Sequence, residues 1–414
     1  MRFKKWKENK VRYILKFHIA KRYFIIRLLA RIAHACYFCL FPIYLYNRGY
    51  NVFDISVLET IFALCIVLFE VPTGIIADRM RRDKCIHLSY VLLLFSYVMI
   101  FVNQSYIILV IANIIMALSA AFSSGIIDVW LIDGLQNEGY AESMTNISSF
   151  MQITDNLGLT IGLLVGGGLA TLTMKYAFIG GLTLIVLANI LCFGLVKDEN
   201  YKKNVIAHDE RIAEYLLNSI KVVTLPFLCV SVSMAFVSFA IASPLNDHWQ
   251  VFFNLKGIDN KFLLSNIYSI RTVLIIIGGI LASKLAKRED RRNLSIFRTF
   301  IFCSAIALII SAFSPNCWMS LLFWSIISIT NTIARSFWTA ELISTMDPSR
   351  RSTLFSINSL IFSLASAGGS LVIGKVAELR SISYGWVICG CIMFGAVLFS
   401  FIATVQVRKK VNAK

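Results

Sequence analysis

The chain has 414 residues, of which 57% are hydrophobic and only 15% are charged, and its formal net charge is +17. Soluble globular proteins carry about 25% charged residues, so the composition excludes that class and predicts a polytopic membrane protein. Lys and Arg concentrate in the cytoplasmic loops of membrane proteins, which accounts for the positive charge without nucleic-acid binding.

The cysteines indicate neither a metal site nor a redox site. Most of the ten lie singly in apolar runs, and the C-x-x-C pair Cys36 and Cys39 has no second pair to complete a site. The sequence contains no nucleotide-binding loop and no nucleophile motif. We therefore expect no enzyme, no cofactor and no metal.

Apolar runs of the length that crosses a bilayer, about twenty helical residues, recur twelve times along the chain. The predicted spans are residues 24–46, 55–77, 86–103, 105–130, 146–170, 176–196, 223–243, 262–283, 295–313, 317–340, 353–374 and 385–407. The longest connection is charged and divides the spans into two sets of six.

The sequence thus predicts an all-α membrane protein with five consecutive parts. These are a basic N-terminal segment at 1–22, a six-helix bundle at 23–196, a cytoplasmic linker at 197–222, a second six-helix bundle at 223–407 and a tail at 408–414.

The distribution of Lys and Arg predicts the orientation in the cell membrane. If the N-terminus is cytoplasmic, 30 of these residues lie in or next to cytoplasmic segments and six lie in external loops; Arg27, Arg31, Arg271 and Arg335 lie within spans. The positive-inside rule then places both termini in the cytoplasm.

Similar motifs recur about 205 to 208 residues apart, which favours a duplicated six-helix unit of the kind found in transporters. The matching positions are Gly74, Asp78 and Arg79 with Gly279, Ser283 and Lys284, Trp130 and Asp133 with Trp338 and Glu341, and Gly166 with Gly374.

The charged stretch GIIADRMRRDK at 74–84 follows the second span directly. Twelve spans in two repeats, with G-x-x-x-D-R-x-x-R at 74–82 between spans two and three, resemble the major facilitator superfamily. The resemblance implies two pseudo-symmetric six-helix bundles and alternating access. That family usually has Gly where Arg81 stands and a basic residue where Asp83 stands.

We expect this loop to be a gating latch on the cytoplasmic side. Gly74 allows close helix approach, while Asp78, Arg79 and Arg82, with Asp133 from the end of span four, form polar contacts that hold the side closed. The alternative is a plain positive-inside anchor.

Span five carries Gly158, Gly162, Gly166 and Gly167, a face of small residues suited to tight helix packing. The motif is similar to that of drug exporters in the superfamily, except that Leu163 stands where they have proline. The resemblance implies export.

Charges inside spans are costly and usually pair or face a cavity. We expect Arg27 and Arg31, one helical turn apart, to pair with Glu70 and Asp128 in a layer that is either structural or proton-transferring. Asp155 has no basic neighbour in sequence, so we rank the proton-coupling candidates as Asp155, Asp128 and Glu70.

Other polar residues near the spans have simpler interpretations. Arg271, in the middle of span eight, holds either an anionic substrate group or a neighbouring carboxylate, and a structural pair is favoured. Arg335 and Glu341 occupy places in the second half related to the latch. His248 lies in the turn PLNDHWQ and is expected to be solvated.

The central cavity is expected to have aromatic and methionine walls that suit large apolar or cationic ligands. The candidate wall residues are Tyr37, Phe41, Met234, Phe239, Trp324 and Trp338.

The leading hypothesis is a monomeric secondary transporter that exports hydrophobic or cationic small molecules, including antibiotics, against inward proton flow. A metabolite or peptide carrier on the same scaffold, acting as symporter or uniporter, is the alternative. A receptor or assembly partner that keeps the fold without transport represents a different class.

Overall fold

The computed structural model describes residues 13–102, 105–123, 126–140, 144–197, 223–286, 293–346 and 351–412. In these ranges twelve helical segments are long and apolar enough to cross a membrane, which confirms the predicted number of spans. The α-helices are α1 (His18–Phe38), α2 (Phe41–Asn47), α3 (Val52–Arg79), α4 (Arg82–Val102), α5 (Tyr106–Ser123), α6 (Ile126–Asn137), α7 (Met144–Leu172), α8 (Met174–Leu195), α9 (Leu225–Ile241), α10 (Trp249–Leu255), α11 (Lys261–Ala286), α12 (Asn293–Phe313), α13 (Cys317–Ser344), α14 (Arg351–Leu379) and α15 (Ile382–Asn412).

Polar residues mark several helix starts within this apolar sequence. The Thr224 side chain accepts a hydrogen bond from the Phe227 amide at the start of α9, where Pro226 follows in the first turn. Asn316 accepts from the Trp318 amide at 2.8 Å and caps α13 in the same way. These caps satisfy amides that have no partner within the helix, which matters most where water is scarce.

The first compact unit comprises Met1–Phe41, Cys65–Asn204 and Asn260–Ser269. Its centre is the contact of α1 with α7. A Cβ atom added at Gly158 would lie 2.5 Å from Arg31 Cβ, and one at Gly162 would lie 2.5 Å from the Ile32 carbonyl oxygen. At Gly166 the approach to the Cys36 carbonyl is closer still. The glycines therefore let the two backbones touch.

The second compact unit comprises Pro42–Leu64, Val205–Asp259 and Ile270–Lys414. Its core is aromatic: Trp249, Trp324 and Trp386 are fully buried, and the Phe252 and Trp386 rings stack with centroids 3.8 Å apart. Trp249 and Trp324 lie 5.4 Å apart by the same measure. Such rings contribute much apolar contact area, so they fix how the surrounding helices pack.

Each unit includes the start of a helix whose remainder belongs to the other unit. Helix α3 joins the second unit up to Leu64 and the first unit from Cys65, while α11 joins the first unit up to Ser269 and the second from Ile270.

These exchanged starts make matching contacts. In the first unit a Cβ at Gly167 would lie 2.8 Å from Ser265 Cβ, and in the second unit a Cβ at Gly374 would lie 2.5 Å from Ser56 Cβ. Ser56 and Ser265 are 209 residues apart, and Gly167 and Gly374 are 207 apart. The repeated glycine–serine contact therefore pairs Gly374 with Gly167, one residue after the Gly166 that the sequence comparison matched to it.

Candidate functional site

The predicted latch is only partly described. Gly74, Asp78 and Arg79 belong to α3, but their side chains lie outside the described residues. Arg82, at the start of α4, forms an ion pair with Asp133 on α6, as expected from their positions. Both side chains are more than a third exposed, so water weakens the attraction. Their gating role stays a prediction.

The two residues that depart from the superfamily pattern pair with each other. Arg81 binds Asp83 through two hydrogen bonds of 3.1 and 2.7 Å, and Asp83 is buried. Arg81 thus supplies the cation that the buried Asp83 carboxylate requires.

The expected partners of the span-one arginines were wrong. Arg27 donates to both carboxylate oxygens of Asp155, at 2.7 and 3.0 Å, and Arg31 does the same at 3.0 and 2.8 Å. Asp155 is therefore doubly paired, although the sequence suggested that it had no basic neighbour. The physical reason is the glycine face of α7, which brings Asp155 against α1 at the level of both arginines.

The other carboxylates of that predicted layer have different surroundings. Asp128 accepts a hydrogen bond from the Tyr23 hydroxyl at 3.0 Å. Glu70 is exposed and forms no ion pair within the ranges that the structure describes. Because Asp155 is held by two cations, and because these two carboxylates do not bind the arginines, the predicted charged layer is reduced to one triplet.

His248 was expected in a solvated turn, and that expectation was wrong. A π-helical segment, Ala242–Asp247, extends α9 and turns the following residues inward, and His248 is 0% exposed. Its Nε2 lies 2.8 Å from Ser56 Oγ and its Nδ1 lies 2.9 Å from Ser243 Oγ. Segments of π-helix within α-helices frequently mark functional sites.

The same turn buries a carboxylate that the sequence reasoning missed. Asp247 is 3% exposed and accepts a hydrogen bond from Ser370 on α14 at 2.6 Å. Glu59, on the first turns of α3, is near enough to act on Asp247 electrostatically. Neither acid forms an ion pair in the part of the chain that the structure describes. An Asp-His pair directly after an apolar run was the available signal, but it resembled an ordinary loop.

Arg271 and Arg335 differ in their surroundings. The Arg271 guanidinium donates to the Leu245 carbonyl at 2.7 Å, beside the π-helical segment, and lies 6.0 Å from the Trp324 ring centre. Arg335 is exposed on α13, whereas Glu341 accepts a hydrogen bond from Asn293 at 3.4 Å.

The candidate cavity residues are mostly packed within the units. Tyr37 and Phe41 contact Phe178, while the Trp324 and Trp338 indoles donate to backbone carbonyls at 2.7 and 2.8 Å. Met234 is buried, and Phe239 lies against the glycines of α14. Their role as cavity walls stays a prediction.

A cavity of about 290 Å³ lies inside the second unit. Its walls include Glu341 and Arg298, a buried arginine that the sequence reasoning did not single out. The Arg298 guanidinium donates to Ser400 through two bonds of 2.9 and 2.7 Å and lies 4.1 Å from the Phe401 ring centre. These contacts hold α12 against α15.

Comparison with known proteins identifies the family. The family model of the Major Facilitator Superfamily matches residues 23–370. The MFS-type transporter YxaM of Bacillus subtilis is 19% identical over 372 residues, covering 88% of this chain and 91% of YxaM. The quinolone resistance protein NorA of Staphylococcus aureus is 22% identical over 367 residues, covering 86% and 89% of the two chains.

The fold agrees with this match. The crystal structure of the nucleoside transporter NupG superposes with a TM-score of 0.74 at 14% identity, covering 94% of this chain and 99% of NupG. A likeness at this identity concerns architecture rather than substrate. With twelve membrane-spanning helical segments, a duplicated pattern and a family match over most of its length, this chain belongs to the Major Facilitator Superfamily of transporters.

Proposed function

We propose that the protein is a secondary transporter of the cell membrane that exports hydrophobic small molecules by alternating access, driven by inward proton flow. The named resistance function of NorA supports export, as does the glycine face that α7 presents to α1. The observation that carries proton coupling is the buried Asp247 carboxylate, bound by Ser370 and close enough to the partly buried Glu59 for the two acids to interact electrostatically.

The pair has the chemistry that proton coupling needs. Two carboxylates that act on each other in a site with little water cannot both hold a negative charge at low cost, so one shared proton relieves the repulsion. Ser370 donates to Asp247 and fixes its position. Ionisable residues within spans mark proton pathways in many transporters.

Asp155, Asp128 and Glu70 are less suited to proton coupling than the sequence suggested. Asp155 is already bound by two guanidinium groups, which stabilise its negative charge. Asp128 is bonded to a neutral phenol, and Glu70 is exposed. Glu59 and Asp247 are therefore the first residues to test, and Asp128 is the next.

The proposed orientation determines on which side of the membrane Glu59 and Asp247 lie. With both termini cytoplasmic, α3 begins outside and α9 ends outside, so the pair lies in the external half. A cysteine introduced at position 81 in a cysteine-free background should resist a membrane-impermeant thiol reagent added to intact cells. Rapid labelling there would reverse the orientation and with it the direction of the proton step.

Everted membrane vesicles test the function itself. With respiration on, vesicles that contain the protein should accumulate at least one dye from a hydrophobic set with anionic, neutral and cationic members faster than vesicles without it, and an uncoupler should abolish the difference. Uptake that ignores every ion gradient would identify facilitated diffusion and refute proton coupling. If cells with and without the gene show identical susceptibility across a broad compound panel and no dye flux, the export proposal is wrong.

A further inference from the structure

Inside the spans of the first unit, two arginines share one carboxylate. Arg27 and Arg31 share the single carboxylate of Asp155 through four hydrogen bonds of 2.7 to 3.0 Å. The next carboxylate, Asp128, is bonded to Tyr23 and forms no ion pair with either arginine in the described ranges. Within this hydrogen-bonded triplet, two cations and one anion give a formal charge of +1.

The surplus charge is accessible to a ligand. The Arg31 side chain is 38% exposed, whereas Arg27 is 20% exposed and Asp155 is 28% exposed. A guanidinium inside a span is costly against lipid and is found against polar groups or a cavity. Both arginines bind Asp155 through Nε and Nη2 and keep Nη1 for another acceptor, and the greater exposure of Arg31 makes it the more accessible donor for an incoming anion.

A second, independent observation indicates a ligand at the same place. Tyr90 on α4 is only 5% exposed, and its hydroxyl has no hydrogen-bond partner within the described residues. Arg27, Arg31 and Asp155 are the charged groups whose fields reach that hydroxyl. Buried hydroxyls are almost always bonded, so the unbonded Tyr90 hydroxyl is available to donate to an acceptor that enters the site.

Aromatic side chains continue from this polar site along α1. One turn after Arg31, His34 stacks on Phe38 with centroids 4.6 Å apart, and Tyr37 meets Tyr97 edge-on at 4.8 Å. The field of Arg31 also reaches His34. A charged head at Arg31 would thus have aromatic surface next to it.

We infer that the first unit binds the carboxylate of an amphiphilic organic acid, which accepts hydrogen bonds from the Arg31 guanidinium and the Tyr90 hydroxyl. Arg27 and Asp155 position Arg31. The inference deepens the proposed function and rests on it for transport: the exported compounds are hydrophobic acids rather than the cationic compounds that the aromatic composition suggested. Guanidinium and hydroxyl donors are the groups that recognise carboxylates.

Binding to the purified full-length chain tests the inference without transport. The probes are pyrenebutyrate and its methyl ester, which share the apolar body and differ in charge. We expect the acid to bind at least about tenfold more tightly than the ester. Equal affinity, or no binding of the acid, overturns the inference. Competition by inorganic phosphate as strong as by pyrenebutyrate would identify an adventitious anion site and also overturn it.

Substitutions separate binding from structure. Tyr90→Phe should weaken acid binding about threefold to tenfold and leave ester binding and the melting temperature unchanged, because the hydroxyl bonds nothing in the described fold. Tyr176→Phe, at an exposed position of the same unit, is the matched control and should change nothing. Undiminished acid binding by the folded Tyr90→Phe protein contradicts the inference.

Substitutions in the triplet test whether acid affinity follows its net charge. Arg31→Gln removes the surplus charge and should abolish the preference for the acid. Asp155→Asn keeps one oxygen that accepts from the arginines but raises the net charge, so it should strengthen acid binding. A purely structural triplet predicts that both substitutions weaken it. If the Arg31→Gln protein does not fold, the ratio of acid to ester affinity in the unsubstituted protein and the effect of Tyr90→Phe still test the inference.

Vesicle uptake keeps the two proposals apart. Uncoupler-sensitive uptake of the ester equal to that of the acid would retain the proposed function and refute the inference. Tight binding of the acid without any gradient-driven uptake would retain the inference for binding and refute the proposed function.

Discussion

The Ser370 hydroxyl donates a hydrogen bond to the Asp247 carboxylate across 2.6 Å. This bond ties α14 to the π-helical segment, in the same unit in which Ser56, one turn before Glu59 on α3, binds His248. Three helices therefore meet in one buried polar network. A network of this kind specifies its geometry, because each member lost leaves another unsatisfied.

Neutralising the acid pair should uncouple transport. Asp247→Asn and Glu59→Gln remove the groups that share a proton, so we expect uncoupler-sensitive dye uptake into everted vesicles to fall at least about tenfold for each. Asp259→Asn, at an exposed acid in a nearby turn, is the control and should retain full uptake. Retained proton-driven uptake in both variants would exclude the pair.

Helix α7 should tolerate an added methyl group at Gly168 but not at Gly166. Gly166→Ala places a Cβ against the Cys36 carbonyl, whereas a Cβ at Gly168 meets nothing within 4 Å. Overpacking costs about 1–3 kcal/mol, so the melting temperature should fall for Gly166→Ala and stay level for Gly168→Ala. Equal melting temperatures would mean that α1 and α7 pack differently.

The Arg82–Asp133 pair should act as a unit in gating. Each single reversal, Arg82→Asp or Asp133→Arg, places like charges together and should slow dye efflux several-fold. The double reversal restores the attraction and should recover most of the rate, with a coupling energy of about 1 kcal/mol for so exposed a pair. Strictly additive effects in the double-mutant cycle would show that the two charges are not coupled in gating and would contradict the prediction.

Lys256 should contribute stability and not coupling. Its ammonium lies 3.2 Å from the Ser311 carbonyl and 2.5 Å from that of Ser314, so it caps the end of α12. Lys256→Met should lower the free energy of unfolding by about 1–2 kcal/mol and leave the uncoupler sensitivity of dye uptake intact. Lys175→Met, at an exposed lysine, serves as control. Unchanged stability would contradict the capping role.

The sequence predicted the spans well and the pairing of charges poorly, for one physical reason. Bilayer thickness sets the length of every apolar run, so the number of spans and most of their bounds follow from composition. The partner of a buried charge depends on how each helix is rotated about its axis. Arg27 and Asp155 are 128 residues apart, and nothing local links them.

His248 shows the same limit from another side. Polar turn residues after an apolar run normally lie in water, and the string PLNDHWQ carries no mark that a π-helical segment will turn it inward. What could be read from the sequence was the presence of two titratable groups in succession. Their burial depends on Ser56 and Ser370, which come from distant parts of the chain.

The tight seam between α1 and α7 has a consequence for motion. Where two backbones are in direct contact at glycines, a shift of one helix by a residue would bring a side chain into the contact. The helices therefore cannot slide along each other. The two helices must therefore move as one rigid body, in which the relative positions of Arg27, Arg31 and Asp155 stay fixed. Spin labels placed one on each helix should report a constant separation through the whole transport cycle. The pair α1 and α7 can therefore serve as the fixed reference against which the displacement of the other helices is measured.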